Sequence, residues 1–303
     1  MILTVTLNPA VDHTLTLDQP LRHGEVARTN DAQYDAGGKG INVSKYLGEC
    51  GVKTCATGLV GGFLGQFIET RLEETGVSTD FVEIAGLTRL NTTLHAPDGE
   101  FKVNQDGPHV GVAAIEQIID TAQQHDPETV VIAGSLPQGL DASAIDRIAQ
   151  AGAWETVVDV GGDLLTELSA EYALCKPNRE ELTAATGVET ESLEDCVAAA
   201  KALREQGYER VAASLGDDGA LLVTPERVFH AAALDVDVVD TVGAGDAFLA
   251  GMLSAFARGV GDEAALKEGV AIASEVVTTP GTQVPVLSNV QRNAGRVTVS
   301  ARQ

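Results

Sequence analysis

Short apolar runs alternate with helix-length segments along most of the chain, and this alternation restricts the fold more than any single motif does. Residues 130–133, 156–160, 210–214 and 220–223 are strand-length and rich in valine, leucine and alanine. Between and around them lie helix-like stretches at 111–125, 142–151 and 192–206. Strands without a polar face, separated by helices, predict a mostly parallel sheet covered on both sides. A chain of 303 residues has room for one large α/β domain with a small appendage.

The region before residue 106 breaks this rhythm. Residues 12–17, 26–35 and 88–101 alternate polar and apolar side chains, and Pro97-Asp98-Gly99 is a hairpin signal. Such strands have one solvated face, which predicts a small β-lid beside the core. The expected division is a core of residues 1–8, 37–84 and 106–303 with a lid of 9–36 and 85–105. Residues 234–239 also alternate and are expected to be β-like.

Charge narrows the functional classes. With 44 acidic against 20 basic residues the net charge is −24, which disfavours nucleic acid and anionic membranes as partners. The acidic residues are spread over many segments, as a solvated surface in a high-salt cytoplasm requires, so a halophilic source is expected. No apolar run approaches membrane-span length. The N-terminal residues read as a strand without a basic leader, and the four cysteines lack paired spacing. A cytoplasmic protein with reduced thiols is expected.

The chemistry centres on Asp240-Thr241-Val242-Gly243-Ala244-Gly245-Asp246, followed by an apolar helix-like run. Glycines let backbone N–H groups converge at a helix start, where the dipole favours an anion. Asp246 falls in the first helical turn, either as a base beside a bound phosphate or as a partner of the helix dipole. Phe248 stands where a dinucleotide fingerprint needs its third glycine, and the Gly-Lys-Ser/Thr of a P-loop is missing.

Further groups accompany this stretch. Asp12 follows a strand and is expected on a turn. Gly37-Gly38-Lys39-Gly40-Ile41-Asn42 opens a helix with a cation and an amide, a plausible sugar-phosphate site. Arg89 and Asn91 share one face of a strand, and an arginine there can grip a phosphate. Ser135 follows a buried strand, at the end where open α/β sheets bind ligands. Asn178 and Glu181, spaced i and i+3, can share a helix face and hold hydrated Mg²⁺. Gly216 and Gly219 form a turn able to admit a nucleotide's phosphates.

Taken together, these motifs resemble the ribokinase/PfkB family of carbohydrate kinases, from the first strand to about residue 280. Residues 36–42 and 240–246 match the two family-specific motifs. Residues 6–10, 61–65, 88–91, 134–137 and 176–182 are similar to the branch that phosphorylates fructose 1-phosphate. The resemblance implies a ribokinase-like three-layer α/β/α fold with a mostly parallel central sheet and a small β-sheet lid. It also implies transfer of the ATP γ-phosphoryl to the 6-hydroxyl of fructose 1-phosphate, giving fructose 1,6-bisphosphate. The alternatives are 6-phosphofructokinase or tagatose-6-phosphate kinase activity and, more remotely, a non-catalytic sugar-phosphate-binding protein. In the implied assignment Asp246 is the base, and the Gly243, Ala244 and Gly245 amides form the anion hole. Asp12, Gly37, Gly38, Asn42 and Asn91 hold the sugar, while Lys39, Arg89 and Ser135 hold its phosphate. Lys176, Asn178, Ser214, Gly216, Gly219, Thr241 and Ser274 serve ATP, and Asn178 and Glu181 hold Mg²⁺ through water. A K⁺ ion beside Asp240 and a homodimer formed through the lid complete the expectation. Residues 271–283 are expected beside the adenine.

Overall fold

The computed structural model describes residues 1–279 and 284–302; residues 280–283, the end of the segment expected near adenine, lie outside them. The strands are β1 (Ile2–Thr6), β2 (Ala10–Thr16), β3 (Asp31–Gly37), β4 (Thr54–Val60), β5 (Val82–Glu83), β6 (Arg89–Ala96), β7 (Gly99–Asn104), β8 (Thr129–Ala133), β9 (Glu155–Asp159), β10 (Tyr172–Cys175), β11 (Tyr208–Ser214), β12 (Ala220–Val223), β13 (Val228–Ala231) and β14 (Val299–Arg302). The helices are α1 (Lys39–Glu49), α2 (Gly62–Glu74), α3 (Ala113–His125), α4 (Ala142–Gln150), α5 (Gly162–Glu167), α6 (Arg179–Thr186), α7 (Leu193–Arg204), α8 (Ala244–Ala257), α9 (Asp262–Val276) and α10 (Val290–Ala294).

Among the described residues one sheet has ten strands in the order β14-β13-β12-β11-β10-β9-β8-β1-β4-β5, and a second has four, β3-β2-β6-β7. Alternate residues of each buried strand divide between two cores. Leu3, Val5, Val130, Ile132 and Val158 pack with α3 to α7. Ile2, Val131, Val157 and Leu174 pack with α1, α8 and α9. That division is the three-layer arrangement the apolar runs predict.

Two expectations change. Residues 220–223 form β12, which pairs antiparallel with β11. Only five residues, 215–219, join the two strands, too few for a parallel crossover. The large sheet is therefore parallel from β5 to β11 and antiparallel from β11 to β14. Residues 234–239 belong to neither sheet. The Val239 and Asp240 amides instead donate to the Val277 carbonyl at 2.8 and 3.2 Å. Their alternation is real but serves another surface: Leu234, Val236 and Val238 line a hollow against α9.

The small sheet is built as its alternation requires. Val11 and Ala36 turn toward Ile68 and Leu72 of α2, and the Pro97-Asp98 turn links β6 to β7.

Helix α8 is apolar on all sides because it is enclosed on all sides, with Asp246 to Ala255 buried throughout. Gly251 and Gly269 let it approach α9 closely. A Cβ on Gly251 would lie 2.8 Å from the Gly269 Cα and 3.0 Å from the Glu268 carbonyl oxygen. Gly251→Ala is therefore expected to destabilise the protein by about 1–3 kcal/mol through overpacking, read from urea unfolding in molar KCl. An unchanged midpoint would mean that the two helices separate without cost.

Candidate active site

The motifs converge at the carboxyl ends of the parallel strands. β1, β8, β9 and β10 end at Thr6, Ala133, Asp159 and Cys175, so the loops that follow all open on one edge of the sheet, which the N-termini of α1 and α8 also reach. Gly243, with φ 77°, is the N-cap of α8. A Cβ there would lie 2.8 Å from the Tyr46 hydroxyl of α1, so backbone conformation and neighbour both require glycine.

Asp246 lies in the first turn of α8 and is 7% exposed. Asn42, four residues along α1 from Gly38, donates its Nδ2 to Asp246 Oδ2 at 2.9 Å. Burial raises the Asp246 pKa from 3.8 to about 6; Asp159 adds repulsion, and the Asn42 hydrogen bond, Lys176 and Lys39 offset part of the rise. The expected anion hole is modified in one respect. The Ala244 amide closes a turn onto the Thr241 carbonyl at 3.2 Å, whereas among the described residues no such turn bond engages the Gly243 or Gly245 amides.

Asp159, at the end of β9, is fully buried. Its Oδ1 accepts from Lys39 Nζ at 2.7 Å, and its Oδ2 lies 3.2 Å from Lys176 Nζ. Glu181 Oε1 is 3.7 Å from Lys39. Burial alone would lower the Lys39 pKa, but the two carboxylates raise it. Lys176 lies under the glycine loop, its Nζ 3.4 Å from the Cβ position of Gly245. Lys39 thus joins Lys176 at the end of β9 rather than Arg89 and Ser135. The sequence reading missed Asp159; its one signal is a carboxylate closing the apolar run of β9.

Asn178 and Glu181 do not share a helix face. Asn178 is the N-cap of α6: its Oδ1 accepts from the Glu181 amide at 2.8 Å, and Glu181 Oε2 accepts from the Asn178 amide at 2.8 Å. This capping box satisfies helix-end donors and leaves Glu181 Oε1 turned toward Lys39.

On the other flank, Asp12 sits within β2 rather than on a turn, because the bend is completed at Leu7 to Pro9. Asn91 Nδ2 donates to Asp12 Oδ1 at 3.0 Å, and Gly37 is needed because a Cβ would fall 2.0 Å from Asp12 Oδ2. Burial raises the Asp12 pKa, with Asn91, Lys45 and Arg89 opposing. Gly38 turns the chain from β3 into α1 at φ 129°. Arg89 donates from Nε and Nη2 to the Asn8 carbonyl at 3.2 and 3.0 Å and from Nη1 to the Gln105 carbonyl at 3.3 Å. Asn8 Nδ2 reaches Ser135 Oγ at 3.2 Å and the Asp106 carbonyl at 3.1 Å. Asn8, also missed from sequence, thereby gathers Arg89 and Ser135.

Ser214, Gly216, Gly219, Thr241 and Ser274 line a hollow of about 260 Å³ walled by Phe248, Val270 and Val277. Its apolar walls and polar rim suit a flat heterocycle. Ser274 contributes bulk rather than a free hydroxyl, since its Oγ donates to the Val270 carbonyl at 2.8 Å. A larger hollow of about 750 Å³ lies at the amino ends of the strands, around Met1, Lys53 and Glu128, and contains none of the motifs.

The profile of the pfkB family carbohydrate kinases matches residues 5–289. A relative from Haloferax volcanii, a halophile, described as a 1-phosphofructokinase, is 51% identical over 99% of this chain and 98% of its own. A D-tagatose-1-phosphate kinase from Bacillus licheniformis is 34% identical over 88% of this chain and 97% of its own. Among solved structures, phosphofructokinase-2 from Escherichia coli, in complex with potassium, superposes with a TM-score of 0.91 at 27% identity, covering 97% and 98% of the two chains.

Ionised Asp246 opposes folding. Its pKa is higher in the folded chain than in the unfolded one, so the native state is favoured at pH values where the acid is protonated. That advantage is lost as pH rises from about 4 through about 6. Asp246→Asn should stabilise the protein above pH 6 by about 1–3 kcal/mol and give no gain near pH 4. Melting curves of both proteins across this range check it, and a loss of stability at pH 8 would contradict the sign.

Proposed function

We propose, on the premise that the chain belongs to the pfkB family of carbohydrate kinases, that it transfers the γ-phosphoryl group of ATP to the 6-hydroxyl of fructose 1-phosphate. The observation that carries this reading is Asp246: a buried carboxylate in the first turn of α8, held by Asn42 of α1, next to the glycine loop whose Ala244 and Gly245 line the hollow beside α9.

The geometry supports the following roles. Asp246 accepts the proton of the attacking hydroxyl, and its pKa near 6 leaves it ionised at neutral pH without making it too weak a base. The Gly243 and Gly245 amides, at the positive end of α8, receive the phosphoryl group as it passes in line from ATP to the sugar. Lys39 and Lys176, held by Asp159, bring positive charge to the same place. Asp12, Asn42, Asn91 and the Gly37-Gly38 backbone bind sugar hydroxyls. Arg89 and Ser135, gathered by Asn8, hold the phosphate the sugar already carries. The adenine occupies the hollow beside Ser214, Gly219, Thr241 and Ser274. The small sheet closes over the sugar and excludes water.

The donor set fits a hydrated Mg²⁺ bound to ATP. Among the described residues no group of three His, Cys, Asp or Glu side chains is placed to hold a bare ion, while Glu181 Oε1 is left over from the capping box. Asn178 and Glu181 would hold the ion through water, and it would neutralise phosphate charge. K⁺ beside Asp240, a cytoplasmic location and a homodimer through the outer face of the small sheet, where Tyr34, Phe101 and Val103 are exposed, belong to the same proposal.

Two measurements test it. ADP release in molar KCl should favour fructose 1-phosphate over fructose 6-phosphate, tagatose 1-phosphate and tagatose 6-phosphate by more than about a hundredfold in kcat/KM, roughly 2.7 kcal/mol. A preference for another sugar phosphate would keep the kinase and change its substrate, and no turnover at any salt concentration would leave a binding protein. Separately, kcat/KM should fall about tenfold per pH unit below pH 6 as Asp246 becomes protonated. Asp246→Asn should retain ATP binding and lose turnover; turnover within about tenfold of wild type would remove Asp246 from the base role.

A further inference from the structure

Three residues stand in register across the small sheet. Asp12 of β2 is paired with Asp35 of β3 on one side and with Asn91 of β6 on the other. Cross-strand partners project from the same face, so the two carboxylates and the amide form one polar row. Asn91 satisfies Asp12 through its Nδ2. The pairing of Asp12 with Asp35 has no such relief, and like charges directly opposed on a sheet repel.

The cation that faces this pair comes from the large sheet's side of the molecule. Lys45 lies on the second turn of α1, and its Nζ donates to the Ala36 carbonyl of β3 at 2.5 Å. It therefore spans the bend at Gly37-Gly38 where the small sheet joins α1. The ammonium is fixed by that carbonyl rather than by either carboxylate, so it acts on both by charge. Asp35, Asp12 and Asp246 attract it, and Arg71 of α2 repels it. Asp12 in turn feels Lys45, Arg89 and Asp35.

We propose that Lys45 is a positioning residue for the sugar phosphate: bound to the β3–α1 corner, it is the counter-charge that lets Asp12 stay ionised opposite Asp35 and accept the sugar's hydroxyls. This rests on the reading of Asp12 as a sugar ligand. Burial disfavours charge on both the lysine and the aspartate, so each depends on the other. Without the lysine, burial and the opposed Asp35 both disfavour charge on Asp12, which holds its proton more readily. Asp12 then donates where it should accept, and the sugar loses a partner. The nucleotide, held across the cleft by other residues, is unaffected.

The experiment is a mutant cycle with the phosphorylated ketohexose that wild type turns over best. Lys45→Met is expected to raise the sugar-phosphate KM at pH 7 by about tenfold or more, leave the ATP KM within about twofold, and show a defect that shrinks as pH rises, because higher pH favours ionised Asp12. Adding Asp35→Asn should restore most of the lost affinity, because the repelling carboxylate is gone, and Lys45→Arg should remain within about threefold of wild type. Equal increases in both KM values, or a double variant no better than Lys45→Met, would overturn the proposal. An infrared titration of Asp12 in ligand-free protein, identified by difference from Asp12→Asn, needs no substrate and no stable Lys45 variant. Asp35→Asn alone should move that titration to lower pH, and an unmoved titration overturns the idea. Wild type that turns over none of the sugars would defeat the proposed function, while the titration would still decide the role of Lys45.

Discussion

The hydrogen bond from Asn42 to Asp246 ties together the two helices on which the site depends. Helix α1 begins where the small sheet ends, and α8 begins at the glycine loop. Their packing puts a buried carboxylate, an amide and the glycine loop at one point. Tyr46, one turn beyond Asn42, sets the closeness of that packing by leaving room only for a glycine at 243. Along α1, Lys39 meets Asp159, Asn42 meets Asp246, Lys45 meets the β3 corner and Tyr46 meets the glycine loop. One helix therefore sets the relative position of both sheets and Asp246.

Burial has opposite electrostatic uses at two neighbouring carboxylates. At Asp246 it raises a carboxylate's pKa to about 6, at a cost in stability. At Asp159 the carboxylate is buried just as deeply but is held between two lysines, which keeps both cations in place. Basic residues are scarce in a chain with a net charge of −24, yet Lys39, Lys45, Lys176 and Arg89 all stand in or beside the cleft. A chain whose net charge repels anions in general thus keeps a local region of positive charge.

Much of this was legible in the sequence. The apolar runs indicated the three layers because residues that alternate between two cores leave no polar face on a strand. The glycine loops were legible because positive φ and close approach select glycine. The small sheet was legible from strict period-two alternation and the Pro97-Asp98-Gly99 turn. The reading erred where a local pattern had two physical outlets. Residues 234–239 have strand periodicity but cover a cavity beside α9. Asn178 and Glu181 have the i, i+3 spacing of a shared helix face but close the helix end as a capping box.

By itself the sequence determined the layered fold, the glycine turn that opens α8 and the carboxylate in its first turn, because each depends on periodicity or on backbone freedom within a few residues. Only the tertiary structure decided which charges meet. Lys39 and Asp159 are 120 residues apart and Asn42 and Asp246 are 204 apart, so neither pairing leaves a mark on local spacing. Asp12 and Asp35 are joined by strand register, which the intervening loop sets. Coulomb interactions depend on separation in space and on burial, and for distant residues both exist only once the chain has folded.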